Sequence, residues 1–300
     1  MTVCFPSYYK KFKCIAEKCR HSCCVSWEIG VDEETMNMYK ESEGEIYDEI
    51  MSHIDTSDST IKLLSDGRCP FLDNAGLCRI ICRMGEGGVS LICREHPRFY
   101  HSVMGRVEGG IGAVCEEACR IILTSDDYDC FDEYSRLAEA ADETDFDSIS
   151  HREYIYSVLK NRDLSYTEKI NAIRERYSLP QFHTQKEEWR EAFMSLEYLD
   201  ESRRGIFGVC DNAVFPQNEI YFIRFFAYLV FRHVSISENY DELRARVGYC
   251  LLLLSVLQHM SKERVADFDT LSEWVRVISE EIEYSEDNTA SLIFEIECLI

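Results

Sequence analysis

The chain has 300 residues, 46% of them hydrophobic, enough for a sizeable core and for two subregions. It carries 32 basic against 55 acidic side chains, a formal charge of −23. That balance repels phosphate backbones and anionic lipid, and argues against nucleic acid or a membrane as the partner.

From the start, Met1–Pro6 and then Tyr8-Tyr9-Lys10-Lys11 include no apolar run long enough for a secretory signal. The expected location is the cytoplasm, where thiols stay reduced. This matters because there are 15 cysteines, and all but Cys210, Cys250 and Cys298 lie at or before Cys130. Cysteines used as small hydrophobes would be spread through the core; a one-sided distribution in a reducing compartment points to metal or redox chemistry.

Residues 1–123 form the expected Cys-rich metal-cluster region. Its first motif is Cys14-x4-Cys19-x3-Cys23-Cys24. The adjacent pair poses a geometric problem, since neighbouring side chains diverge on a helix and face opposite ways on a strand. Either one of them packs in the core or the two serve different centres. Asp32-Glu33-Glu34-Thr35 ahead of Met36, Met38 and Tyr39 predicts a helix with acidic residues in its first turn.

Next come Cys69-Pro70-Phe71-Leu72, Cys78, Cys82 and Cys93, punctuated by Gly67, Gly76 and Gly85-Glu86-Gly87-Gly88. Phe99–Met104 and Val107–Val114 predict a short hairpin around Gly105, and Cys115-Glu116-Glu117-Ala118 a helix start. Thiolates from separate segments can close around zinc or an iron–sulfur cluster, and both metals stay open on spacing alone. His21, His53, His96 and His101 are the few nearby histidines.

Residues 124–150 read as an acidic connector with a short helix around Tyr134–Ala141. Residues 151–300 read as helical, from apolar recurrences such as Trp189/Phe193/Leu196 and Phe222/Phe225/Phe226/Leu229, with breaks at Pro180 and Pro216. Tyr221–Val234 and Val247–Met260 are too short for membrane spans and predict buried helices. His183 and His259 are expected at the core edge rather than as ligands. The chain has no G-x-G-x-x-G after a convincing strand, no G-x-S-x-G and no H-E-x-x-H. The predicted fold class is mainly α: a small Cys-rich metal-binding N-terminal region with a short β-hairpin, followed by an α-helical C-terminal region.

The string Phe12-x-Cys14-x4-Cys19-x3-Cys23-Cys24-x2-Trp27-x-Ile29-x2-Asp32 resembles the opening of the flagellin lysine-N-methylase family. Cys69-Pro70-Phe71-Leu72, Gly76-Leu77-Cys78-Arg79-Ile80, Leu91-x-Cys93-Arg94-x2-Pro97-Arg98 and the stretch Glu108–Ala118 follow in that family's order. Phe225–His233 resembles one of its helical segments. The layout is also similar to a wider group of zinc- or iron-chelating cysteine-cluster proteins.

The resemblance implies a bacterial, cytoplasmic protein-lysine N-methyltransferase. It would use S-adenosylmethionine, act on flagellin and contain a [4Fe–4S] cluster, with Zn2+ as the alternative metal. The implied ligands come from Cys14, Cys19, Cys23, Cys24, Cys69, Cys78, Cys93 and Cys115, more than the four one cluster needs. Cys82 and Cys119 fall outside the pattern and are expected to be plain thiols. Arg94 and Arg98 would neutralise a cluster or hold a cofactor carboxylate, or else pair with nearby acids. The alternative function is a non-catalytic redox or iron sensor, or an interaction module, built on the same cysteines.

Overall fold

The computed structural model describes residues 2–135, 146–182, 187–207, 218–261 and 267–300. The helix expected around Tyr134–Ala141 falls mostly outside them, as do Cys210, His183 and Pro216. The fold is mainly α, as expected, with a small mixed sheet. Two compact units divide the chain: Lys13–Phe99, and Met1–Phe12 together with Tyr100–Ile300. These limits differ from the three consecutive regions expected from sequence (1–123, 124–150 and 151–300), because the first dozen residues pack with the later part of the chain.

In chain order, strand β1 (Thr2–Pro6) comes first and belongs to the larger unit. The smaller, thiol-rich unit follows, with helices α1 (Glu33–Glu41) and α2 (Glu45–Ser52), strands β2 (Ile54–Asp55) and β3 (Thr60–Ile61), and helices α3 (Arg79–Met84) and α4 (Leu91–Glu95). Helix α1 starts where the acidic first turn predicted: Asp32 is its N-cap, its carboxylate accepting from the Thr35 amide at 2.9 Å. The core of this unit joins Met36 and Tyr39 of α1, Ile50 of α2, Phe71, Ile80 and Val89. Phe71 and Ile50 have no exposed surface, and each such burial is worth roughly 2 kcal/mol. With a core this small, much of the unit's backbone runs in turns held by individual hydrogen bonds.

The larger unit resumes along β4 (Arg98–Val103) into β5 (Arg106–Ile111), then α5 (Glu116–Thr124) and β6 (Phe131–Ser135). The expected hairpin is present. Its turn residues Met104 and Gly105 have φ of 48° and 72°, the left-handed pair that a tight two-residue hairpin demands. The sheet order is β4-β5-β1-β6. Strand β1 lies parallel to β5 (Cys4 opposite Glu108) and antiparallel to β6 (Val3 opposite Tyr134). The acidic connector therefore contributes a strand at Phe131–Ser135.

The helices that follow are α6 (Ser148–Lys160), α7 (Tyr166–Arg176), α8 (Glu187–Ser195), α9 (Arg204–Phe207), α10 (Glu219–Leu229), α11 (Tyr240–Met260), α12 (Phe268–Ile278) and α13 (Glu286–Glu297). Both greasy stretches are buried helix: Phe225, Phe226 and Leu229 of α10, and Leu252, Leu253 and Leu257 of α11, are at most marginally exposed. No helix among the described residues is long and apolar enough to cross a membrane. Arg224, one of the basic residues that interrupt the first stretch, is buried. Its guanidinium donates to the Leu123 carbonyl at the end of α5 (2.9 Å) and pairs with Asp126. Short π-helical turns, Val230–Val234 and Ser279–Glu283, extend α10 and α12.

Candidate metal centre

In the thiol-rich unit, backbone hydrogen bonds draw distant cysteine segments together. The Cys69 amide donates to the Cys24 carbonyl at 2.8 Å, beside an antiparallel bridge between Val25 and Arg68. A second bridge, Leu72 with Cys78, and the Arg79 amide on the Phe71 carbonyl (2.8 Å) fold the Cys69-Pro70-Phe71-Leu72 motif back on the start of α3. Cys78 is the N-cap of α3. Helix α4, which carries Cys93, is moored to α1: the Leu91 amide donates to the same Asp32 carboxylate that caps α1, at 2.7 Å. The Tyr39 hydroxyl donates to the Gly88 carbonyl at 2.7 Å.

The result is a set of four thiols that sense one another. Burial pushes the Cys69 thiol up to about 12, and the charges of Cys24, Cys78 and Cys93 would each oppose its ionisation further. Cys93 is pushed up to about 11 by the surrounding protein, with Cys24 and Cys78 adding to the shift. Cys78 is raised by burial and by the charges of Cys24 and Cys82. Cys24 goes the other way, down to about 7, because the Cys23 thiol and the Ser22 hydroxyl hydrogen-bond to its thiolate against the cost of burial. Tyr39, whose hydroxyl is raised by burial and by Cys93, Cys78 and Cys69, stands beside the group. Sequence reading did not single it out. Its only signal was an apolar position on α1.

Among the described residues, no group of three or more His, Cys, Asp or Glu side chains is set closely enough to hold a metal ion as it stands. The four thiols are electrostatic neighbours rather than a closed ligand shell. The chemistry of the set suits a soft cation all the same. Desolvation and mutual repulsion keep most of these thiols protonated, and a bound cation removes both penalties by taking up the thiolate charge.

The other expected ligands are placed differently. Cys14 is exposed, its sulfur accepting from the Ala16 amide at 3.4 Å, and the Cys19 thiol donates to the His21 carbonyl at 3.3 Å. Of the adjacent pair, Cys24 packs against the core while Cys23 is exposed, its thiol hydrogen-bonded to that of Cys24. Cys115 lies in the larger unit as the N-cap of α5, with Tyr284 and Cys119 as neighbours. Of the two cysteines outside the motif pattern, Cys82 is exposed on α3, and Cys119 is buried on α5, donating to the Ser272 carbonyl at 3.3 Å. Arg94 lies 3.8 Å from Glu95, and Arg98 donates to the Arg94 carbonyl at 3.4 Å. Trp27 is half-buried.

The larger unit holds a second polar centre that motif reading missed, centred on the two π-turns. Glu283 accepts from Tyr228 (2.7 Å) and Ser279 (2.6 Å), faces His233 Nε2 at 3.0 Å and pairs with Arg232 at 3.2 Å. Burial opposes its charge, but Arg232 and the hydrogen bonds win and hold the carboxyl at about 2. Burial pushes the His233 imidazole down, against the opposing pull of Glu283. Tyr228 also accepts from the Ala113 amide at 3.1 Å, and Arg232 lies 4.4 Å over the Tyr284 ring. The loop leading to Cys115 is thus tied to this centre. The signal in the sequence was the set of charged residues inside an apolar helical stretch, Arg232-His233.

The fold and site together describe a mainly helical protein whose cysteine-rich unit follows the first strand in chain order. Comparison with known proteins adds a direction. The chain is similar to the Lysine-N-methylases of Salmonella typhimurium and Salmonella choleraesuis, 31% identical to each over 135 residues. Those residues are 42% of this chain and 34% of each relative, so the match spans about a third of their length. It is also similar to the flagellar biosynthetic protein FliU of Salmonella muenchen, 29% identical over 135 residues that make up 80% of that protein. No family model matches the chain, and no solved structure does.

Proposed function

We propose that this protein acts in methylating lysine side chains of flagellin with S-adenosylmethionine, in the bacterial cytoplasm before export, and that a cysteine-ligated [4Fe–4S] cluster, or Zn2+ in its place, braces the thiol-rich unit. The observation that carries this reading is the similarity over 135 residues to proteins named Lysine-N-methylase. The mutual neighbourhood of Cys24, Cys69, Cys78 and Cys93 supports its metal component.

These four cysteines would hold the centre, each from a different turn or short helix, so that a bound metal fastens segments the small core secures weakly. When bound, a [4Fe–4S] cluster supplies one-electron redox chemistry tuned by hydrogen bonds to its sulfurs. Arg94 and Arg98, on the segment that carries Cys93, would offset the anionic charge of such a site or grip a cofactor carboxylate. Methyl transfer itself requires a neutral lysine amine in line with the sulfonium methyl. A net charge of −23 favours approach of a lysine-bearing surface.

Two measurements separate the parts of this reading. Anaerobically purified protein should be brown, with stoichiometric iron and sulfide; a colourless protein with stoichiometric zinc replaces the cluster by the metal ion. Labelled S-adenosylmethionine should then label flagellin lysines. An intact metal centre with no labelling of flagellin makes the protein a non-catalytic sensor or interaction module.

A further inference from the structure

The two faces of the sheet differ in what they carry. On one face Cys4 and Glu108 are almost fully buried, and Glu108 meets Arg152 of α6 at 2.5 Å. Side chains alternate along a strand, so Phe5 and Gly109 point the other way, as does Tyr134, which pairs with Val3. On this second face aromatic rings form a continuous row. Phe5 of β1 lies 6.5 Å from Tyr100 of β4 and 6.1 Å from Tyr134 of β6, both edge-on. Tyr9, from the turn after β1, stacks on Phe5 at 4.4 Å, and its hydroxyl is 3.1 Å from that of Tyr100.

Gly109 makes the row continuous across β5. A Cβ there would stand 2.5 Å from the Phe5 ring and 2.8 Å from the Tyr100 ring, so any side chain would push the two apart. Tyr100 and Tyr134 remain 47% and 50% exposed. Single exposed aromatics are ordinary, but rings in mutual contact across all four strands of a sheet form a surface.

We infer that this aromatic sheet face, Phe5, Tyr9, Tyr100 and Tyr134, is the docking surface for a lysine-bearing segment of the protein substrate, with ammonium groups lying on the tyrosine rings. This rests on the methyltransfer reading for the identity of the partner. The charge decides the class of occupant. Aromatic rings on a sheet also stack nucleic-acid bases, but that mode needs a positive groove for the backbone. Here the chain carries −23, and Lys10, which follows Tyr9 at the margin of the row, is engaged with Asp132 at 3.0 Å. The ring faces are electron-rich, and cations are drawn to them.

The test uses the full-length protein, a short synthetic peptide containing lysines, the same peptide with norleucine in their place, and oligouridylate. The lysine peptide should bind, and the norleucine peptide should bind at least about fivefold more weakly. The double variant Tyr100→Leu/Tyr134→Leu should lose the preference, while Tyr100→Phe/Tyr134→Phe, which keeps both rings, should retain it. Equal binding of both peptides, undiminished preference in the leucine variant, or binding of oligouridylate instead would each overturn the inference.

Flagellin labelling separates this failure from failure of the function. If wild-type protein labels flagellin and the leucine variant does so with unchanged KM, the docking surface is wrong and methyltransfer stands. Ring-dependent lysine binding without any labelling refutes methyltransfer and keeps the surface.

Discussion

Cys24 and Cys69 share a backbone hydrogen bond but have thiols displaced in opposite directions, to about 7 and about 12. The difference comes from the Cys23 and Ser22 hydrogen bonds that Cys24 receives and from the burial that dominates Cys69. If these two with Cys78 and Cys93 hold the metal, serine at any of the four should sharply lower bound iron or zinc. Serine at the exposed Cys14 or Cys82 should leave it unchanged, as metal analysis of purified variants will show.

Glu283 makes a prediction independent of metal. Its folded value, about 2, is below the ordinary 4.5, so the ionised carboxylate stabilises the fold fully above pH 4.5. That contribution drains away as pH falls from about 4.5 towards 2. Glu283→Gln leaves Arg232 buried without its counter-charge and should cost about 3–5 kcal/mol in urea unfolding at neutral pH. It should also flatten the acid limb of the stability profile.

At the scale of elements, caps and close approaches tie neighbouring segments together. Asp32 serves two helices, capping α1 and holding the first amide of α4. Asp32→Ala should cost about 1–2 kcal/mol by the cap alone, and hydrogen exchange in Leu91–Glu95 should speed up along with that of α1. Gly112 lies in the loop between β5 and α5, where a Cβ would be 2.0 Å from the Tyr284 hydroxyl. Gly112→Ala should destabilise by about 1–3 kcal/mol, since Tyr284 is itself packed under Arg232 and cannot yield cheaply. Equal unfolding midpoints for this variant and the parent protein would show that the loop relaxes instead.

At the scale of the whole molecule, the two units depend on different forces. The larger is built on the apolar faces of α10 and α11, the smaller on a modest core and on segments that a metal would fasten. If the proposed metal is bound, chelation under reducing conditions should raise hydrogen exchange throughout Lys13–Phe99 and leave α10 and α11 protected. Uniform loss of protection across both units would mean that they unfold as one.

Local signals in the sequence determined local structure. The Asp32 cap, the Met104-Gly105 hairpin, the helix start at Cys115 and the buried stretches at Phe225 and Leu252 all depend on neighbours a few residues away. The cysteine motifs likewise marked the segments that carry the thiols. Tertiary structure alone decided the rest. Thr2–Pro6 became an interior strand because its partners lie about a hundred residues further along, and Phe131–Ser135 became a strand because β1 offered it an edge. Which thiols became neighbours, and which charges could stay buried around Glu283, followed from contacts between distant segments, and a pattern read along the chain carries no record of which distant segments will meet.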